Sequence, residues 1–151
     1  MTFEPRDPNF KTRVRESFDR QSAMATLGGY IKSIEPGSVI LGMSFDQKLT
    51  QQHGFLHAGI VTTMLDSAAG YAAFSLMDPE AAVLTIEFKT SLMAPASGIE
   101  FRFEGRVLKP GRTITFATAQ AFAIGKSDDE KLIAEMTATM MAVTGRDEIK
   151  G

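Results

Sequence analysis

The residues best suited to chemistry lie between positions 51 and 77, in the segment QQHGFLHAGIVTTMLDSAAGYAAFSLM. The segment begins as a polar loop that holds both histidines of the protein, His53 and His57, and continues as a helical stretch that is apolar nearly all round. A helix of that composition is buried, and here we expect a sheet to wrap it. Asp66 stands in this helix where an aliphatic side chain is expected. Because a buried carboxylate is costly unless something pairs with it or uses it, Asp66 is the first candidate catalytic residue.

The start of the same helix offers a second catalytic element. The first N–H groups of a helix have no partner within it and carry partial positive charge, so they can stabilise an oxyanion. Ala58 and Gly59 occupy that position, and Gly59 lets a substrate approach the backbone closely. Asp66 then serves as the general base or as the nucleophile, and both roles fit.

The spacing of these residues predicts that two copies of the chain build one site. Asp66 lies eight residues beyond Ala58. That separation is roughly 12 Å along a helix that rises about 1.5 Å per residue, so the two residues cannot touch one carbonyl group from the same helix. We therefore predict a dimer in which the helix start of one subunit faces Asp66 of the partner subunit across a two-fold axis, and an inactive monomer.

Each of these side chains also has a simpler interpretation. His57 follows a glycine turn, and hydrogen bonding to a neighbouring backbone carbonyl is a better explanation for it than direct proton transfer. Asp66 could be a buried carboxylate held by neighbouring threonine or backbone groups. His53 and His57 are four residues apart, but a glycine separates them and the glutamate of an H-E-x-x-H pair is missing, so we expect no metal site.

Composition narrows the class of protein. The chain has 151 residues and a formal net charge of −2 without a block of like charges, which argues against nucleic-acid and membrane-surface partners. It contains no cysteine, which excludes disulfides, thiolate metal sites and cysteine nucleophiles. The N-terminus has no apolar core of a signal peptide, and polar residues interrupt the longest apolar run. We expect a cytoplasmic protein with one domain over residues 1–151 and no cofactor.

The periodicity of the chain predicts an α+β hotdog fold, in which a curved antiparallel sheet wraps around a long central helix. An N-terminal helix is expected at about 8–27, beginning after Asp7 and ending at Gly28, and it either covers a pocket mouth or simply packs on the body. The central helix is expected at about 58–77. Alternating apolar residues predict strands at 30–35, 39–45, 84–89, 99–107, 113–124 and 132–143, the last four as a meander, before a frayed tail.

Three segments resemble the PaaI-like branch of the hotdog-fold acyl-CoA thioesterases: GFLHAGIVTTMLDSAAG, LTIEFKTSLMAPA and GRVLKPGRTITF. With the order of elements, the resemblance extends over roughly Tyr30 to Val143. The first segment is the most specific, because it joins a Gly-x-x-His-(Gly/Ala)-Gly turn to an aspartate at a fixed distance along the helix. The resemblance implies hydrolysis of acyl-CoA thioesters by a dimer, often paired into a tetramer.

The resemblance also implies roles for single residues. Asp66 matches the catalytic carboxylate, His57 the family's histidine, and Thr85 a hydroxyl residue that helps to hold the attacking water. Ala58 replaces the first glycine of the family's pair, a change that leaves the backbone N–H in place. Gln51 stands where the family has asparagine and is one methylene longer.

The turn KPGR after the predicted strand 99–107 has two interpretations. Pro-Gly is sufficient reason for a hairpin turn. By resemblance, Lys109, Arg112 and Arg106 contact the phosphates of CoA, a role for which a guanidinium is well suited.

Two other functions compete with thioester hydrolysis. One is a non-catalytic protein that binds or senses acyl-CoA on the same fold. The other is a hotdog hydratase or dehydratase, which is disfavoured because no histidine occurs after His57. A pocket of Phe, Met and Leu is compatible with an aromatic, a medium-chain or a long-chain acyl group.

Overall fold

The structure, a computed structural model, describes residues 2–151. Its helices and strands are α1 (Phe10–Arg20), α2 (Ser22–Leu27), β1 (Gly29–Glu35), β2 (Ser38–Ser44), α3 (Ala58–Phe74), β3 (Ala82–Leu92), β4 (Glu100–Lys109), β5 (Ile114–Ile124) and β6 (Glu130–Val143). A single turn of 3-10 helix covers Gln47–Leu49. The six strands form one antiparallel sheet in the order β1-β2-β4-β5-β6-β3.

Helix α3 lies at the centre of the fold, and all six strands contact it. From Val61 to Phe74 its apolar residues are buried on every side, as expected of a helix without a polar face. The inner face of β5 presents alanines to it, and a Cβ at Gly105 of β4 would overlap the carbonyl of Ala68. Small residues therefore let the sheet approach the helix backbone closely. This arrangement confirms the predicted α+β hotdog fold.

The predicted meander of four strands is wrong for the first of them. Strands β4, β5 and β6 follow one another and continue from β2, but β3 pairs with β6 at the far edge of the sheet. Alternation of apolar residues specifies the faces of a strand but not its neighbours, so the sequence pattern could not reveal this. Strand β3 thus has one unpaired edge, and four of its apolar side chains are exposed: Leu84, Ile86, Phe88 and Leu92.

The N-terminal helix predicted at about 8–27 is two helices. The backbone is extended at Gln21 (φ −79°, ψ 97°), where α1 ends and α2 begins. The N-cap of α1 is Asn9, and the carboxylate of Asp7 accepts a hydrogen bond from the Asn9 N–H at 2.8 Å instead of capping the helix itself. The break places the Gln21 side chain against α3, where its Oε1 accepts a hydrogen bond from Ser67 at 3.3 Å.

Two further boundaries differ from the prediction. Helix α3 ends at Phe74, and the residues up to Met77 form a turn. The tail is not frayed, because Gly151 packs against Phe74 and its carbonyl accepts a hydrogen bond from Arg20 at 2.7 Å. None of the helices within residues 2–151 has the length and apolar character needed to cross a membrane.

One arginine joins α1 to the C-terminal end of α3. The guanidinium of Arg13 donates to the carbonyls of Phe74 (3.1 Å) and Met77 (2.9 Å), and to that of Asp78. It lies 4.3 Å from the centroid of the Phe74 ring, and its Nε is 3.1 Å from the Asp7 carboxylate, although at an angle that makes no hydrogen bond. The carbonyls at the end of a helix have no partner within it. Those of Phe74 and Asp78 also accept from the N–H groups of Met77 and Ala81, whereas among residues 2–151 the carbonyl of Met77 is bound by Arg13 alone.

We expect Arg13→Lys to lower the free energy of unfolding by about 2 kcal/mol, because an ammonium cannot reach several carbonyls at once. Chemical denaturation followed by circular dichroism measures the loss. The control is Arg15→Lys, the same change at an exposed position of the same helix. Equal stability of the two variants would contradict the capping role of Arg13.

Candidate active site

Asp66 faces the edge strand β3 from the middle of α3. Its Oδ1 accepts a hydrogen bond of 2.8 Å from the hydroxyl of Thr85. The carboxylate is half-buried, and burial raises the pKa of Asp66, an effect that the hydrogen bond from Thr85 partly opposes. No cation lies within ion-pair distance of Asp66 among residues 2–151. The side chain is therefore a carboxylate that is harder to ionise than usual and, once ionised, a stronger base.

A cavity of about 380 Å³ opens beside Asp66. Its walls come from α1, α3, the start of β3 and the C-terminal residues 148–151. Several of its lining residues are polar, among them Ser17 of α1 and Gln21 at the break between α1 and α2. The sequence did not reveal these two residues as part of the site, because only the break after α1 turns Gln21 toward α3. The sequence did contain one sign of a polar cavity at this place: Ser67 and Tyr71 interrupt an otherwise apolar stretch of the central helix.

The start of α3 is organised by His57, which is the N-cap residue. Its Nδ1 accepts a hydrogen bond from the Gly59 N–H at 2.9 Å, and its carbonyl accepts one from the Ile60 N–H, also at 2.9 Å. The side chain thus bonds a backbone N–H and not the carbonyl that we predicted. Of the two donors expected at the helix start, Gly59 is engaged. The Ala58 N–H has no acceptor within residues 2–151, so it is the open donor.

Gln51 lies close to this helix start but turns back on its own loop. Its side-chain carbonyl accepts a hydrogen bond from the His53 N–H, and its backbone N–H donates to the carbonyl of Phe55 at 2.9 Å. Gln51 and Ala58 line a second cavity of about 430 Å³, whose other walls are mainly apolar residues of the loop and of the end of β3.

The two halves of the predicted site are therefore separate within one chain. Asp66 and Thr85 line the first cavity and Ala58 and Gln51 line the second, and none of residues 2–151 lines both. This is the arrangement expected from the roughly 12 Å that separate Ala58 and Asp66 along one helix.

The predicted CoA-binding cations lie away from both cavities. Lys109 and Arg112 are exposed in the β4–β5 hairpin, whose Pro110 and Gly111 lie near the C-terminal end of α3. Arg106 is on the outer face of the sheet, 3.1 Å from the carboxylate of Glu104. Lys109 and Arg112 are thus positioned to meet a ligand from solvent, whereas Arg106 already has an anionic partner.

Comparisons with known proteins agree with the fold and identify the family. A family model described as the thioesterase superfamily matches residues 53–127. The crystal structure of a thioesterase family protein from Silicibacter pomeroyi is 59% identical, with a TM-score of 0.88 over 90% of this chain and 99% of that one. The PaaI protein from the phenylacetic acid degradation operon of E. coli is 15% identical and shares the fold, with a TM-score of 0.80 over 91% and 95% of the two chains. Acyl-coenzyme A thioesterase 13 of Mus musculus is 31% identical over 121 residues, which are 78% of this chain and 79% of that protein.

The hydrogen bond between His57 and Gly59 allows the role of the histidine to be tested. We expect His57→Asn to keep most of the stability and of the activity of the protein, because asparagine is a good N-cap residue that can accept the same N–H. His57→Ala should lower the free energy of unfolding by about 1 kcal/mol. Thermal denaturation measures the stability of each variant. The release of free CoA thiol from an acyl-CoA measures its activity. Loss of turnover in a stable His57→Asn variant would instead assign proton transfer to the histidine.

Proposed function

Because the chain belongs to the thioesterase superfamily of thioester hydrolases, we propose that it cleaves acyl-CoA thioesters into a free acid and CoA at a site that two copies build together. The observation that carries this proposal is the pair formed by Asp66 and Thr85 at a cavity. A half-buried carboxylate without a cationic partner costs stability, and a reaction that uses the carboxylate explains why it is there.

In the proposed reaction Asp66 removes a proton from a water molecule, and the water oxygen attacks the thioester carbonyl carbon. The raised pKa of Asp66 favours this step, since a more basic carboxylate accepts the proton more readily. Thr85 donates to Oδ1, which orients the carboxylate and leaves Oδ2 for the water. Alternatively Asp66 attacks directly, and water then hydrolyses the acyl-aspartyl anhydride. In the first route the tetrahedral intermediate collapses by breaking the C–S bond, and the CoA thiolate takes up the proton that Asp66 removed from the water. In the second route the C–S bond breaks as the anhydride forms, and the thiolate takes up a proton from the water that hydrolyses the anhydride.

The oxyanion that forms on the carbonyl oxygen needs a donor, and the Ala58 N–H supplies it. This N–H has no acceptor among residues 2–151, and it lies at the positive end of a helix of 17 residues. Gly59 keeps a supporting role, because its own N–H holds the ring of His57. Such a donor is typically worth about 2.7–4 kcal/mol of the activation barrier.

The two halves meet when two chains associate, and β3 is the element suited to this. Among residues 2–151 its outer edge is unpaired, and several of its apolar side chains are exposed. An edge strand of this kind can pair with another chain, and proteins that stay monomeric usually cover or charge it. Antiparallel association of two β3 edges about a two-fold axis would bring the start of α3 in one subunit toward Asp66 of the other. We propose a homodimer, or a dimer of such dimers, as the active form.

Lys109 and Arg112 are the proposed contacts for the phosphates of CoA. Both are exposed on one hairpin, and a turn can adjust to a flexible nucleotide. Arg106 would have to give up its ion pair with Glu104 to join them, and we assign it a lesser part.

Asp66→Asn should lower kcat by about 10²–10⁴-fold, because the amide keeps the shape of the side chain but cannot act as a base.

The same variant should have a higher Tm than the wild type at neutral pH. The folded pKa of Asp66 lies above its unfolded value, so its favourable contribution is present at low pH and is lost as the pH rises through the folded pKa. The gain in Tm should therefore grow with pH across that window, and the acidic limb of kcat/KM for the wild type should lie above the usual range for aspartate.

Free thiol release from a panel of acyl-CoA esters measures kcat, and scanning calorimetry measures Tm. The control is Glu87→Gln, the same change at a carboxylate of β3 that bonds Thr139 on the outer face of the sheet. Turnover close to normal in Asp66→Asn would remove Asp66 from the mechanism. Tight binding of acyl-CoA by a wild type that releases no thiol would favour a sensing protein.

Ala58→Pro should lower kcat by about 10²–10³-fold, because proline removes the proposed oxyanion donor. Proline is well tolerated at the first position of a helix, and the extended backbone of His57 (φ −61°, ψ 138°) suits a residue before proline. The variant should therefore fold normally. The control is Ala58→Ser, which keeps the N–H.

Mixing Ala58→Pro with Asp66→Asn under conditions of subunit exchange tests whether the site is shared. A mixed dimer holds one intact site and one site with both defects, so random exchange should restore about a quarter of the wild-type rate. Subunits that each contain a whole site would recover no activity on mixing.

A further inference from the structure

The cavity beside Asp66 contains polar groups that hydrolysis of the thioester does not use. Gln21 and Ser67 meet on one side of it, with the hydroxyl of Ser67 donating to Gln21 Oε1 at 3.3 Å. Ser17 and Tyr71 meet on another side, with their oxygens 3.5 Å apart. Both contacts are long for hydrogen bonds that involve a hydroxyl group, so they leave much of the bonding capacity of these side chains unfilled.

Two of these groups are nearly buried, which makes their weak bonding costly. Ser67 is 7% exposed and Tyr71 is 6% exposed. The amide nitrogen of Gln21 has no acceptor among residues 2–151, and its side chain caps neither of the helices that it joins. Burial raises the pKa of Tyr71, so its hydroxyl stays protonated and remains a donor near neutral pH. Buried polar groups of this kind are normally satisfied by a partner, and a ligand can supply it.

The shape of the cavity leads from the reacting carboxylate to these groups. Gly70 lies four residues after Asp66, on the same face of α3. A Cβ added at Gly70 would meet no atom of the described residues 2–151 within 4 Å, so the missing side chain leaves open space beside the carboxylate. Tyr71 lies five residues beyond Asp66, which is about 7.5 Å further along the helix axis. A chain attached to a carbonyl carbon at Asp66 can thus run over Gly70 toward Tyr71 and Gln21.

From this arrangement we infer that the cavity receives the acyl group, and that it selects acyl groups whose distal end carries a hydrogen-bonding group such as a hydroxyl. Gln21 and Tyr71 are the specificity residues, and Gly70 provides the room. This inference depends on the proposed function, because it takes the thioester carbonyl to lie at Asp66. A purely apolar acyl chain would leave these polar groups with only their long contacts to one another, a mismatch that discriminates between substrates.

Paired substrates of equal length test the selection. We expect kcat/KM for 6-hydroxyhexanoyl-CoA to exceed that for hexanoyl-CoA by about 3- to 10-fold, which corresponds to the net worth of one or two hydrogen bonds. The double variant Gln21→Leu, Tyr71→Phe should reverse the preference while it still hydrolyses hexanoyl-CoA, which also shows that it folds. The control is Thr26→Ala, which removes an exposed hydroxyl of α2 outside the cavity. Equal kcat/KM for the two esters in the wild type would overturn the inference and leave thioester hydrolysis intact.

A second variant distinguishes the acyl group from the pantetheine arm of CoA as the occupant. Gly70→Leu fills the cavity, so it should lower kcat/KM for hexanoyl-CoA at least about 10-fold while acetyl-CoA changes much less. If pantetheine occupied the cavity instead, both esters would suffer equally and the inference would fail.

Binding provides a readout that does not depend on turnover. Calorimetric Kd values for non-hydrolysable hexyl and 6-hydroxyhexyl thioethers of CoA should differ in the same direction as kcat/KM. If the protein bound the 6-hydroxyhexyl thioether more tightly but hydrolysed none of the esters, the proposed function would be overturned and the inferred selectivity of the cavity would stand. Equal Kd values would overturn the selectivity, whatever the catalytic result.

Discussion

The burial of α3 inside the sheet is the constraint on which the rest of the structure depends. The helix is in contact with every strand, and Gly105 together with the alanines of β5 lets the sheet approach its backbone. A helix so enclosed keeps the polar side chains in its middle at least partly buried. Asp66 is therefore partly desolvated by the fold itself, and its raised pKa follows from that burial. The chemistry proposed for the carboxylate thus comes from the packing of the whole sheet.

The same packing leaves the two ends of α3 as the places where side chains bind its backbone groups. Its first N–H groups are exposed in a loop, where His57 takes up one and leaves the other open. The carbonyls of its last residue, Phe74, and of Met77 in the turn that follows are bound by Arg13, which fixes α1 along the helix. Fixing α1 in turn places Gln21 over the cavity, so a stabilising contact at one end of the molecule contributes to the shape of the proposed acyl site.

An edge strand connects the fold to the proposed assembly. Because β3 lies beside β6 at the edge of the sheet, Thr85 reaches Asp66 from a strand that is still open on its other side. The residues that support the carboxylate and the surface proposed to bind a second subunit therefore belong to one element. Association at this edge would cover apolar side chains and complete the site in the same step.

The sequence by itself determined the class of fold, the central helix and its buried aspartate, because these depend on local periodicity and on a polar residue within an apolar run. A spacing of eight residues was enough to predict that Ala58 and Asp66 act from different chains. Only the tertiary structure decided which strand stands beside Asp66, since periodicity does not identify neighbours. It also decided that His57 occupies the Gly59 N–H, and that Gln21 faces the cavity. Those two contacts depend on the backbone conformation of one residue each, the N-cap His57 and the break at Gln21. The pattern of residue types along the chain does not specify that conformation.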